Sequence, residues 1–286
     1  MFKGTDHQLA GRAVLVTGAA RGIGAALARR LFERGARVGL VGIEEPLLAE
    51  QARLAGGAPF RSCDVTQRDQ VDAAVAEIAK ELGGLDVVVA NAGVAAQLPI
   101  VGGNPEIFER TMAVNVLGTY YTLRAAGAHI GHARGYALSV SSLAAAVHLP
   151  LMGAYCASKA AVEALGNSLR IELQHTGARV GTAYFAEIDT DMTERGFGTK
   201  AASRIGRFGP FTKVAPLERA IEALEKGIAT RARTIAAPGF VLPLLPFRFV
   251  AQRFVDAVIR RDIADALAIA REERVELTTP QPGRRA

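Results

Sequence analysis

The chain has 286 residues, half of them apolar and 22% charged, with 34 basic and 28 acidic side chains and a formal net charge of +6. That length and apolar content exclude a disordered chain and are ample for one large buried core. Two cysteines, Cys63 and Cys156, exclude a disulfide framework and fit a reducing compartment.

In chain order, Ala13–Thr17 reads as a buried strand, Ile23–Arg34 as a helix stopped by Gly35, and Arg37–Val41 as the next strand. Pro46–Leu54 is helical, Pro59–Ser62 a short strand, and Val71, Val75, Ile78 and Leu82 mark a helix over 67–82. Leu85–Ala90 is a strand, Ile107–His132 one long helix, Tyr136–Val140 a strand and Ala154–His175 a second long helix. Strand Arg179–Tyr184, helix Pro216–Ala229 and strand Thr234–Ala237 complete the pattern. Apolar strands alternating with helices predict an α/β fold: a doubly wound, Rossmann-like parallel sheet in a single domain.

The domain is expected over 1–237, with a helical C-terminal extension over 238–286 packed on or beside it and a disordered tail from 278. No uninterrupted apolar run reaches the roughly 18 residues of a spanning helix, and Met1–Gln8 lacks a signal-peptide core, so the expected location is cytoplasmic. Residues 1–200 carry 19 basic and 19 acidic side chains, and residues 201–286 carry 15 and 9, so the excess positive charge sits in the last third. This argues against a nucleic-acid partner for the body of the chain. In 240–261, Phe, Leu and Val interleave with arginines, which allows either a peripheral membrane contact or extra core and subunit contact. Three aspartates dilute the basic face and tip the reading to the second.

Thr17, Gly18, Arg21, Gly22, Ile23 and Gly24 form a glycine-rich turn between the first strand and first helix. There the backbone can approach a pyrophosphate and the helix N-terminus offers free N–H groups. After the second strand, Gly42 and Ile43 stand where a ribose-binding acid or a phosphate-binding base would select the cofactor. Glu44 opposes a 2′-phosphate and Arg21 attracts one, so NAD and NADP both stay open, tipped to NAD. Asp64, followed by Val65, is placed to accept from an adenine amino group, or to cap a turn. Tyr155 and Lys159, four residues apart, share a helix face, where an ammonium would lower the phenol pKa from about 10. Ser142, just past a strand, is placed to bind the same substrate oxygen. The five histidines show no ligand spacing, so no metal is expected, and His148 stands near the Ser142 loop.

These motifs, together with Asn91-Ala92-Gly93 and Asn115, resemble the classical short-chain dehydrogenase/reductase family over roughly residues 9–237. The resemblance implies an NAD(P)-dependent oxidoreductase that interconverts a secondary alcohol and a ketone by hydride transfer. It implies Tyr155 as proton donor and acceptor, Ser142 positioning the substrate oxygen, and Lys159 tuning Tyr155 and binding the nicotinamide ribose. Asn115 would hold a water beside Lys159, and Asn91, Ala92 and Gly93 would line the adenosine-ribose side. Ile188 and Thr190 would face the nicotinamide, although Phe185-Ala186 replaces the family's Pro-Gly. A homodimer or homotetramer through the helices of 107–132 and 154–175 is implied as well. Apolar Leu143, Ala144, Val147, Leu149 and Met152, and a lid over 191–211 with Phe197, Ile205, Phe208 and Phe211, point to a lipid-, steroid- or long-chain-like substrate. A dinucleotide-binding scaffold or sensor with little turnover is the alternative from another class.

Overall fold

The computed structural model describes residues 6–196, 199–205, 214–273, 275–279 and 281. In chain order come α1 (Asp6–Leu9), β1 (Ala13–Thr17), α2 (Gly22–Glu33), β2 (Arg37–Gly42), α3 (Glu45–Leu54), β3 (Phe60–Ser62), α4 (Arg68–Glu81) and β4 (Val87–Ala90). Then follow α5 (Pro105–Met112), α6 (Gly118–Ile130), β5 (Tyr136–Val140), α7 (Gly153–Glu172), β6 (Arg179–Phe185), α8 (Asp191–Gly196) and α9 (Lys200–Ile205). The last elements are α10 (Leu217–Thr230), β7 (Thr234–Ala237), α11 (Val241–Leu244), α12 (Arg248–Ile259) and α13 (Ile263–Glu272).

The strands form one parallel sheet in the order β3-β2-β1-β4-β5-β6-β7. The strand order reverses between β1 and β4, which opens a crevice at the carboxyl ends of the strands. Side chains alternate across the sheet. Val14 and Val16 pack with Leu27 and Leu31 of α2 and Leu224 and Ile228 of α10 on one face. Ala13 and Leu15 pack with Ile78 of α4 and Leu123 and Ile130 of α6 on the other. Burial on both faces is why the strands read as continuous apolar runs.

Two expectations change. The long helix over 107–132 is interrupted by a five-residue wide turn at Ala113–Leu117. Apolar side chains spread around more than half of the helix over residues 112–123, so periodicity gives no warning of such a turn. The tail expected to be disordered from Thr278 is ordered at its start. Thr278 is 2% exposed. Its N–H donates to the Ala95 carbonyl, and its Oγ1 accepts from the Ala95 N–H, each at 3.1 Å. The two bonds satisfy backbone groups left unpaired past the end of β4. Of the expected tail, Pro280 and residues 282–286 lie outside the described residues, as do Phe197, Phe208 and Phe211 of the lid.

Beyond β7, the extension turns back onto the body. Val241 of α11 is fully buried against Ala145 and Tyr184. Arg248 of α12 pairs with Glu163 of α7 at 2.9 Å, and Ala270 of α13 packs on Ala201 of α9.

Candidate active site

A cavity of about 620 Å³ fills the crevice. Gly18, Arg21, Gly22, Ile23, Glu44, Asp64, Val65, Asn91, Ala92 and Gly93 line one part of it. Ser142, Tyr155, Lys159, Ile188 and Thr190 line another. Three residues singled out in the sequence stand behind the wall instead. Thr17 is buried, and its Oγ1 accepts from the N–H groups of Asn91 at 3.1 Å and Ala92 at 3.2 Å, joining the ends of β1 and β4. At Gly24 a Cβ would meet the Gly18 carbonyl oxygen at 2.2 Å, so glycine is required for α2 to start against its own loop. Asn115 is fully buried; its Oδ1 accepts from Val94 N–H at 2.8 Å, and its Nδ2 donates to the Val94 carbonyl and to Ser158 Oγ at 2.9 Å each. The wide turn at Ala113–Leu117 carries Asn115 to this position.

The three reactive side chains converge because β5 ends beside the first turns of α7. Ser142 starts the turn after β5: its Oγ accepts from Ala144 N–H and donates to the Phe185 carbonyl, each at 3.1 Å. It also shares a hydrogen bond with the Tyr155 hydroxyl. Lys159 Nζ lies 5.6 Å from the Tyr155 ring centre and donates to the Val140 carbonyl at 2.9 Å. Burial sets the acid–base character of this pair. It pushes the Tyr155 phenol up to about 12, against the lowering effect of Ser142. It pulls the Lys159 ammonium down to about 8. The lowering of Tyr155 expected from its lysine neighbour is therefore absent in the chain alone, where desolvation dominates.

At the other end, Arg21 Nε donates to Glu44 at 2.6 Å, a second guanidinium nitrogen reaches the same carboxylate, and Nη1 donates to Asp191 at 2.9 Å. The Glu44 hydrogen bond leads in raising the Arg21 pKa. Asp64 is held by Arg110 at 2.8 Å and by Thr66 at 2.9 and 3.0 Å. Burial would raise its pKa, but these bonds outweigh it and hold the carboxyl below the usual range. The loop carrying Ile188 and Thr190 keeps its place without Pro-Gly, through Asp189 N–H to the Ala215 carbonyl at 2.8 Å and Ala215 N–H to the Glu187 carbonyl at 2.9 Å.

The residues fit an extended nicotinamide dinucleotide. Gly18 and Gly22 have φ of +65° and +56°, and no side chain caps the first N–H groups of α2. A Cβ at Gly18 would strike Ala92 Cα at 2.8 Å, which leaves the loop no alternative to bare backbone beside the cleft. Among the described residues, no group of three or more histidine, cysteine or acidic side chains could hold a metal ion.

Several site residues carried no sequence signal. Ser141 Oγ donates to the Lys159 carbonyl at 2.8 Å, and Ser158 Oγ to the Tyr155 carbonyl at 2.8 Å, tying α7 to β5 and to Asn115. Arg110 joins Asp64 to Gln281. Leu244, Phe247, Val250 and Phe254 from the extension wall the cavity near Leu143, Val147, Leu149 and Met152. His148 is absent from that wall; its backbone N–H and C=O bond Gln252 of α12 at 2.7 and 3.0 Å. Ile205 packs instead against Leu151 and Ala201.

The short-chain dehydrogenase family model matches residues 12–201. The chain is 35% identical over 214 residues to a D-threitol dehydrogenase of Mycolicibacterium smegmatis, covering 71% of this chain and 82% of that one. It is 37% identical over 176 residues to a sorbitol dehydrogenase of Cereibacter sphaeroides, covering 60% and 69%. A short-chain dehydrogenase of Mycobacterium paratuberculosis, solved bound to NAD, superposes with a TM-score of 0.71 at 28% identity, covering 80% of this chain and 97% of that one. The chain belongs to the short-chain dehydrogenase/reductase family and is an oxidoreductase acting on alcohols with a nicotinamide dinucleotide.

Proposed function

We propose that the chain is an NAD-linked dehydrogenase interconverting an apolar secondary alcohol and its ketone. The observation that carries this reading is one cavity with Ser142, Tyr155 and Lys159 in its wall, to which residues 143–152 and 244–255 contribute aliphatic, aromatic and thioether side chains, while Glu187, Asp191 and Thr193 are its further polar lining beside Thr190. A polyhydroxylated substrate would leave hydroxyls unpaired against Leu143, Val147, Leu149 and Met152, and each unpaired buried polar group costs about 1–3 kcal/mol.

In oxidation, Tyr155 takes the hydroxyl proton while Ser142 holds the same oxygen, and in reduction Tyr155 returns the proton to the carbonyl oxygen. Lys159, with Nζ 5.6 Å from the Tyr155 ring centre, offsets part of the burial penalty once a phenolate forms, and binds ribose hydroxyls. The bound nicotinamide supplies the hydride acceptor or donor. Gly18, Arg21, Gly22, Ile23, Asn91, Ala92, Gly93, Ile188 and Thr190 hold the dinucleotide, with Asp64 and Val65 at the adenine. Thr17, Gly24 and Asn115 act from behind, by fixing the loop, the start of α2 and the Val94 turn. NAD follows from the Arg21 pairing: Glu44 and Asp191 give that corner two carboxylates for one guanidinium, which opposes a 2′-phosphate. Exposed Phe108, Leu117, Tyr120 and Ile171 are the faces through which two copies would pair.

The test is a turnover screen of secondary alcohols of rising chain length beside threitol and sorbitol, with NAD and NADP in parallel. Rising kcat/KM with chain length and NAD use are expected. Tyr155→Phe should lose at least about a thousandfold in kcat while still binding NAD. Turnover of polyols alone, which the named relatives favour, refutes the apolar reading. A Tyr155→Phe variant with undiminished turnover refutes the catalytic assignment, and intact biological function without turnover favours a scaffold.

A further inference from the structure

The extension does more than wall the cavity. α11 and α12 are fixed to the body by buried Val241, by Arg248 on Glu163 and by Gln252 on the backbone of His148. Their outer side nevertheless exposes Leu242, Phe247, Phe249, Val250, Phe254 and Val258. Phe249 is 81% exposed and Phe247 65%. Phe249 stands about 140° from Phe254 around α12, on the side of Arg253 and Arg260, and exposed apolar side chains of this size on an ordered helix mark an interaction surface. Val250, Phe254 and Val258 follow one another at four-residue spacing, on one face of α12. Arg253, Arg260 and Arg261 are exposed beside them, and no ion pair joins them to another described residue. Of the three aspartates that dilute this basic face in the sequence, Asp262 and Asp265 pair with Arg204 at 3.1 and 2.7 Å, and Asp256 accepts from Gln252 at 2.8 Å.

We infer that this face docks on an anionic lipid surface, with the phenylalanines at the acyl boundary and the arginines reaching back to phosphate headgroups. Aromatic and aliphatic side chains mixed with arginine on one helix are what an interfacial helix needs, and long arginine stems let the charge stay in water. Phe247, Val250 and Phe254 are at once exposed and part of the cavity wall, so they form its rim. Docking would therefore set the mouth of the cavity at the bilayer, where an apolar alcohol or ketone is concentrated. The delivery of substrate rests on the apolar reading proposed above; the docking does not.

The test is sedimentation of the full chain with vesicles of phosphatidylcholine alone and with added phosphatidylglycerol. Binding should require the anionic lipid and weaken at about 0.5 M salt. Phe249→Ser and Arg260→Glu, neither in the cavity wall, should each lower the bound fraction about tenfold. Both should leave turnover of a short, water-soluble alcohol unchanged. Leu242→Ser provides a second exposed apolar variant. Absence of binding to any vesicle, or binding indifferent to all three substitutions, overturns the proposal. So does a dimer that Phe249→Ser splits without any vesicle binding. Turnover of the soluble alcohol without vesicles reports separately on the dehydrogenase reading.

Discussion

Replacing Lys159 by methionine should make the protein more stable at neutral pH while removing its activity. Lys159 is buried, and burial lowers its ammonium from 10.5 to about 8. Below about pH 8 the folded protein holds a charge that the unfolded chain would hold more easily. The difference between those two values corresponds to about 3 kcal/mol of lost stability. The penalty is complete below the folded pKa and disappears as pH rises through the unfolded one, so this group makes stability increase with pH between them. Methionine removes the charge at similar length but leaves the Val140 carbonyl without its 2.9 Å donor, a loss of about 1 kcal/mol. The variant should gain about 2 kcal/mol at pH 7, or about 4 °C in Tm. The gain should shrink by about 2–3 kcal/mol towards pH 10, because the wild type then sheds its penalty. Thermal and denaturant unfolding of both proteins across this range measures the difference, in which the buried tyrosines and cysteines cancel. A variant less stable at pH 7, or two parallel stability–pH curves, would refute the assignment of Lys159 as a buried, strained cation.

Gly24→Ala should lower stability by about 3 kcal/mol or more and abolish NAD binding by titration calorimetry, because its Cβ falls 2.2 Å from a backbone oxygen. Asn115→Ala removes three buried hydrogen bonds around Val94 and Ser158 and should cost about 3 kcal/mol in denaturant unfolding, with kcat falling as the Gly93 turn loosens. Glu225→Gln takes the shared carboxylate from Arg30, at 2.9 Å, and Arg34, at 2.8 Å, between α2 and α10. It should lower unfolding stability by about 2 kcal/mol, less in high salt, with NAD affinity unchanged.

The strands and the glycine loop were legible because a sheet buried on both faces leaves an uninterrupted apolar run, and a tight turn before a helix leaves glycine at particular positions. Ser142 and Tyr155 were legible as motif residues, but their meeting depends on β5 ending against α7, which no local pattern encodes. The wide turn at Asn115 was hidden because Met112, Val114, Val116, Leu117, Tyr120 and Leu123 put apolar side chains around more than half of the helix, so no single apolar face shows a change of register. The pairing of Arg21 with Asp191 spans 170 residues, and that of Arg110 with Asp64 spans 46. Each charge looks solvated when read alone. The C-terminal wall was hidden for a related reason: Phe and Arg interleaved over 247–261 fit a membrane contact and a core or subunit contact equally well, and neither pattern shows that Phe247, Val250 and Phe254 reach the cavity.

Thr278 gives the cleft a schedule. Its partner, Ala95, is made 183 residues earlier. At about 5–20 residues per second, a ribosome needs roughly 10–40 s to bridge that interval. The sheet can assemble in the meantime, but the turn after β4 waits with its backbone N–H unsatisfied. Thr278 lines the cavity, so a purified chain cut before residue 278 should release dinucleotide faster than the full chain, measured by stopped flow.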